Sequence, residues 1–134
     1  MITTFSLDPS MIAAIGGGFY PTGYSMVMFP DGATAVAVGT QLSNADSDAE
    51  VLYLTPASIL SQITPTVSDA DDPLPSAGTE GATVRAYSKL AKEGHHGLLV
   101  KTPNEEAAAR MMEVVRRHPY SIAQRYRMLV IEDL

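Results

Sequence analysis

An α+β domain made of two β-α-β units is the fold that the 134-residue sequence predicts, and three observations predict it. Short apolar runs bounded by turn residues alternate with stretches whose apolar positions recur at helical spacing, the pattern of strands and helices packed in layers. The order strand, proline, helix occurs twice. A shift of 73 residues lays Pro30 on Pro103 and brings the two helical faces into step. A chain of this length removes roughly two thirds of its unfolded surface from water, enough for a core without disulfides or a structural metal.

Taken in order, Asp8-Pro9-Ser10 before Met11-Ile12-Ala13-Ala14-Ile15 reads as a cap, a first-turn proline and one or two helical turns, stopped by Gly16-Gly17-Gly18. Phe19 to Gly23 is turn-like. Tyr24-Ser25-Met26-Val27-Met28-Phe29 is an apolar run between turn signals and predicts a buried strand, which Pro30-Asp31-Gly32 stops. From Ala33 to Leu42 the residues Ala35, Val38, Gly39 and Leu42 share one helical face, and polar Ser43 to Ser47 closes the helix. Val51 to Thr55 is a second strand, and Pro56 to Leu60 opens a short helix.

Residues 64–82 hold three prolines, four acids and two large apolar side chains, a composition that cannot offset the entropy of ordering and predicts a loop. Val84, Tyr87, Leu90 and Ala91 then make a helical stripe over about 83–93, stopped by Gly94. Gly97 to Lys101 is a strand. Thr102-Pro103-Asn104-Glu105 matches a capping box with proline at the first helical position, followed by a buried face of Ala108, Met111, Met112 and Val115 and a stop at Pro119. A final strand spans about Tyr126 to Ile131.

At the 73-residue shift, Ala35 falls on Ala108, Val38 on Met111, Gly39 on Met112, Leu42 on Val115 and Tyr53 on Tyr126. Two such units in one small chain imply a ferredoxin-like split βαβ fold: a four-stranded antiparallel sheet with two main helices on one face, plus short extra helices. The chain is read as a single domain, 1–134, with half-repeats about 24–60 and 95–134. The opposite sheet face is expected to be open unless another copy, or the short helices and the loop, cover it.

The stretches Phe29-Pro30-Asp31, Val51-Leu52-Tyr53-Leu54-Thr55-Pro56, Gly97-Leu98-Leu99-Val100-Lys101-Thr102-Pro103 and Tyr126 to Leu134 together resemble small bacterial stress-associated proteins with paired ferredoxin-like half-repeats. The resemblance covers about 24–60 and 95–134 and implies a fold and a stress association. Its motifs are structural and carry over no catalytic residue.

Charge is distributed unevenly. Residues 1–84 hold nine carboxylates and no Lys, Arg or His, whereas the remaining fifty hold nine Lys/Arg against six acids, so the two parts stand at −9 and +3. With no cysteine in the chain, disulfide scaffolds, thiolate metal centres and cysteine nucleophiles are excluded. The absence of a long apolar run and of a basic-flanked leader predicts a cytoplasmic protein with no membrane contact. A pI near 4.8 argues against general nucleic-acid binding. Arg116, Arg117, Arg125 and Arg127 form a possible cationic patch, but Gly97 to Val100 offers no ring for a base to stack on, so no nucleic-acid partner is expected.

His95 and His96 are the adjacent imidazoles of the chain. Neighbouring strand residues point to opposite faces, and His118 ends a helix of about fifteen residues, some 20 Å long, so no metal site is predicted from the three. Gly16-Gly17-Gly18 lacks the strand before and helix after it that a phosphate loop requires. Arg125 and Arg127 alternate with Gln124, Tyr126 and Met128, the pattern of a charged edge strand. Glu132 and Asp133 read as solvated. No triad order, HExxH or nucleotide fingerprint occurs, so no catalytic residue and no cofactor are assigned. The reading is a non-enzymatic homo-oligomeric binding or regulatory module, a dimer first, because the apolar strand residues exceed what one helix layer covers. Alternatives are a small-molecule sensor or enzyme with its site at an inter-subunit cleft, with His95, His96, Tyr24, Arg125 and Arg127 as ligand-binding candidates, and an adaptor that binds a protein partner through loop 64–82.

Overall fold

The computed structural model describes residues 2–13, 17–46, 48–67 and 79–134, the side chains of Thr79 and Glu80 apart. The first unit runs β2 (Tyr24–Phe29), α1 (Gly32–Ala45), β3 (Val51–Leu54), and the second β4 (His96–Lys101), α4 (Glu105–Val115), β5 (Ile122–Arg127). A short β1 (Ile2–Thr4) precedes them and β6 (Val130–Asp133) follows. Between the units lie α2 (Pro56–Ser58), which continues through π and 3-10 turns to Thr66, and α3 (Thr79–Lys92).

The sheet has six strands in the order β1-β3-β4-β2-β5-β6, and it is mixed, because β1 runs parallel to β3 while every other pair is antiparallel. The expected four-stranded antiparallel sheet is thus corrected at both edges. The final strand predicted over 126–131 is two strands joined at Met128-Leu129, so β5 is not an edge.

β2 lies between β4 and β5 and is covered on both faces, which is why Met26, Val27, Met28 and Phe29 are all fully buried and why the strand reads as an unbroken apolar run. On one face Val27, Phe29, Val51, Leu98 and Val100 pack under the predicted helical stripes, Ala35, Val38 and Leu42 of α1 and Ala108, Met111, Met112 and Val115 of α4. On the other face Met26, Met28, Leu52, Leu54 and Leu99 pack against Ile59 and Ile63, against Val84, Tyr87 and Ala91 of α3, and against Phe5, Met11 and Phe19. Both faces are closed within one chain. The uncovered face that motivated the oligomer reading does not exist.

Local predictions are corrected in four further places. The helix expected over Met11–Ile15 is a 3-10 turn, Pro9–Met11, after which Ile12 bridges Phe19; residues 14–16 lie outside the described residues. Of loop 64–82, Thr64–Thr66 is a 3-10 turn and 79–82 belong to α3, while 68–78 lie outside the described residues. The cap of α4 is Asn104, whose Oδ1 accepts from Ala107 N at 2.8 Å, and not Thr102. Thr102 is buried, with its hydroxyl 2.7 Å from Ser25 Oγ across the sheet. The repeat holds through the strand-helix junction, where the cap Asp31 of α1 stands 73 residues before Asn104. It fails at the tyrosines: Tyr126 packs in the α3-side core and Tyr53 against the α1/α4 side.

Candidate functional site

His96 opens β4 opposite Phe29, the last residue of β2, which brings it to the end of the sheet where α1 begins. Tyr53 Oη lies 2.6 Å from His96 Nδ1, and the two rings are parallel within 6° at 5.8 Å between centroids. Gly32 makes the approach of α1 possible, since a Cβ there would stand 2.9 Å from His96 Cε1 and 3.1 Å from the Tyr53 hydroxyl. Burial lowers the His96 pKa and outweighs the opposing pull of the Asp31 carboxylate. Burial raises that of Tyr53. The phenol therefore keeps its proton and the imidazole is favoured neutral, and the tautomer of His96 sets which of the two groups donates in the hydrogen bond between them.

His95 turns away from His96 and meets Ser121, with Nδ1 to Oγ at 2.5 Å. The placement of His118 is corrected: α4 starts at the far end of β4 and runs back to the start of β5, so His118 returns to the same end of the sheet as His95 and His96. Among the described residues no group of three His, Asp or Glu is arranged to hold a metal ion.

The other candidates lie at the opposite end of the sheet, about 17 Å away along the six residues of β2. Tyr24 donates to Glu50 Oε2 at 2.8 Å, and its pKa is pushed up to about 12, first by burial and then by that carboxylate. Arg125 is not the solvated edge residue expected. It is buried on β5, its Nη1 stands 3.6 Å from Glu132 Oε1, and its Nε and Nη1 make no hydrogen bond. Glu132 and Asp133 are engaged too, Asp133 Oδ1 accepting from Gln124 Nε2 at 3.0 Å. Arg127 is exposed, and its carbonyl accepts from the Tyr20 hydroxyl at 2.5 Å. The five predicted site residues therefore form two separate groups and no common pocket.

Three surfaces outside that prediction stand out. The β5-β6 turn exposes Met128 (79%), Leu129 (92%) and part of Val130, and Leu129 has φ 65°. Beside it a shallow apolar groove of about 520 Å³ is lined by Leu7, Pro9, Ile12 and Ala13 with Asp8. Tyr20 ties the two together, its N–H on Met11 O at 2.7 Å and its hydroxyl on Arg127 O. Elsewhere, a cavity of about 260 Å³ between α3 and residues 64–67 is lined by Arg85, Lys89 and Lys92 with Thr64, Ser88 and Val84. The spacing of those three cations was readable in the sequence; nothing in Arg127-Met128-Leu129-Val130 announces a turn. No described helix is long and apolar enough to cross a membrane. Comparison with protein-family models, curated proteins and solved structures finds no match.

Proposed function

We propose that the chain is a non-enzymatic binding module that pairs with a second copy, built on a ferredoxin-like core of β3-β4-β2-β5 with α1 and α4, and extended by one strand at each edge. The inner strand order and the position of the two helices support the core. The pairing reading is carried by Leu129. A two-residue hairpin turn ordinarily uses Asn or Gly where φ is positive, yet this turn has an apolar side chain that is 92% exposed and adds nothing to its own fold. Such a residue is explained by a contact outside the chain.

The occupant argued for is another copy. Leu129 and Met128 match the apolar groove of Leu7, Pro9, Ile12 and Ala13, and Arg127 beside the tip complements Asp8 on the groove rim. Because Tyr20 holds tip and groove at the same end of the molecule, a two-fold axis lets each copy insert its tip into the other. The contact is small, so the dimer is expected to be weak and concentration-dependent. Resemblance to stress-associated proteins adds a setting for such a module and no further residue.

Sedimentation velocity over a wide concentration range tests this. Wild type is expected to pass from monomer to dimer, with Leu129→Asp and Ile12→Asp each remaining monomeric while keeping the wild-type far-UV spectrum. A wild type that is monomeric throughout, or a dimer indifferent to both substitutions, overturns the reading.

A further inference from the structure

Resting on the pairing proposed above, we infer that Met128 is an oxidation site through which hydroperoxides take the pair apart. The chain has seven methionines and no cysteine, so thioethers are its readily oxidised sulfur groups. Among the described residues Met11, Met26, Met28, Met111 and Met112 are all buried, whereas Met128 is 79% exposed. The five buried side chains meet an oxidant only when the fold opens around them, and Met128 meets it in the native state. The reaction is a two-electron oxygen transfer. The sulfur attacks the peroxide, the O–O bond breaks, an S–O bond forms, and the hydroperoxide is reduced to its alcohol, or to water where the oxidant is hydrogen peroxide.

The groove that receives the tip has nothing to offer a sulfoxide. The side chains of Leu7, Pro9, Ile12 and Ala13 carry no donor, and Pro9 has no N–H. The N–H groups of the other three are given within the chain: Leu7 to Gln62 Oε1 at 2.9 Å, Ile12 to Pro9 O at 3.2 Å and Ala13 to Gly18 O at 2.8 Å. Asp8 on the rim brings a carboxylate, which accepts from Ser10 N at 2.9 Å and repels a second acceptor. A sulfoxide oxygen seated there is buried without a donor, which weakens the contact about tenfold or more. A two-fold pair seats two such tips, so full oxidation weakens it about a hundredfold. Pairing in turn shields Met128 and slows its oxidation. A methionine sulfoxide reductase supplied with a dithiol removes the oxygen as water and restores the thioether, and with it the pair.

Limited hydrogen peroxide treatment of the full chain, at a dilution where it is monomeric, followed by peptide mass spectrometry, tests the site. The added oxygen is expected on Met128 about tenfold faster or more than on Met11, Met26, Met28, Met111 or Met112. Sedimentation velocity of the oxidised protein should show the dimer dissociation constant raised about a hundredfold with the far-UV spectrum unchanged, and reductase treatment should reverse the change. Met128→Leu, close in volume and without sulfur, should pair and stay paired after the same treatment. Met128→Gln, which ends in a polar group, should pair as weakly as the oxidised protein without any oxidant. Faster oxidation of a buried methionine, or a pair that persists with Met128 fully oxidised, overturns the switch and leaves the dimer reading standing. So does a Met128→Leu protein that still comes apart on oxidation. A reduced wild type that never pairs overturns the dimer reading itself, and the switch with it.

Discussion

Leu129→Gly separates the conformational cost of the β5-β6 turn from its use. A non-glycine residue in the left-handed region costs about 1–2 kcal/mol, and Leu129 occupies it at φ 65°. Glycine removes that cost but has more unfolded-state freedom to lose, about 0.5–1 kcal/mol. With 92% of its surface in water, the leucine gives up almost no packing on removal. The variant should therefore be more stable than wild type by about 0.5–1 kcal/mol, a rise of roughly 2–4 °C in Tm for a domain of this size. Urea and thermal unfolding should be run at a dilution where wild type is monomeric, because association stabilises the folded state by mass action. At high concentration the order is expected to reverse, since only wild type gains from pairing. A Leu129→Gly protein that melts below wild type at low concentration refutes the argument, because the side chain would then be stabilising its own monomer.

Other substitutions probe the core and the histidine cluster. Asn104→Ala removes the cap on Ala107 N and should cost about 1 kcal/mol in urea melts, while Thr102→Ser, which keeps the hydroxyl facing Ser25, should leave α4 intact by circular dichroism. Arg125→Met replaces a buried cation that lacks hydrogen bonds on Nε and Nη1. It is expected to match or exceed wild-type stability, whereas Arg125→Ala leaves a cavity and should cost about 2 kcal/mol or more. Two pH windows are separable by urea melts between pH 2 and pH 8. His96 has a lowered pKa, so the unfolded chain protonates first, and stability should fall as pH drops below about 6.5 toward the folded value, a loss absent in His96→Gln. Asp31 is also lowered, chiefly by the Thr34 N–H, so its carboxylate stabilises above the ordinary value of 3.8 and that gain disappears as pH falls through the lower folded value. Asp31→Asn should keep the cap and lose this acid-side slope.

Strands and helices were legible wherever burial imposes a period. Ala35, Val38, Gly39 and Leu42 repeat at helical spacing because one face of α1 meets the sheet, and Met26 to Phe29 run unbroken because β2 is covered on both sides. The misreadings share a cause, which is that the deciding partner is distant in sequence. Thr102 and Asn104 are both good caps, and the choice is made by Ser25, 77 residues away from Thr102, which takes the threonine hydroxyl. β1 is three residues long and is a strand only because β3 lies alongside. The β5-β6 turn contains no Gly, Pro, Asn or Asp, so Tyr126 to Ile131 reads as one strand. The separation of the predicted site residues into two groups was hidden for the same reason, since adjacency along β5 or at His95-His96 says nothing about which end of the sheet each side chain reaches.

Placing β2 at the centre of the sheet also constrains the order in which the protein can be made. Its neighbours β4 and β5 begin only at His96 and Ile122, so during synthesis the four consecutive apolar residues Met26 to Phe29 wait for roughly 70 further residues before either partner strand exists. At about 5–20 residues per second that is a delay on the order of 4–14 s, during which an unpaired apolar strand is exposed to aggregation. Everything translated in the interval from Pro30 up to residue 84 carries acids and no Lys, Arg or His, eight negative charges in all. Emerging chains of one sign repel each other and stay apart. Ribosome-arrested chains ending near residue 84 should accordingly remain dispersed, and should aggregate once Asp46, Asp48 and Glu50 are changed to their amides.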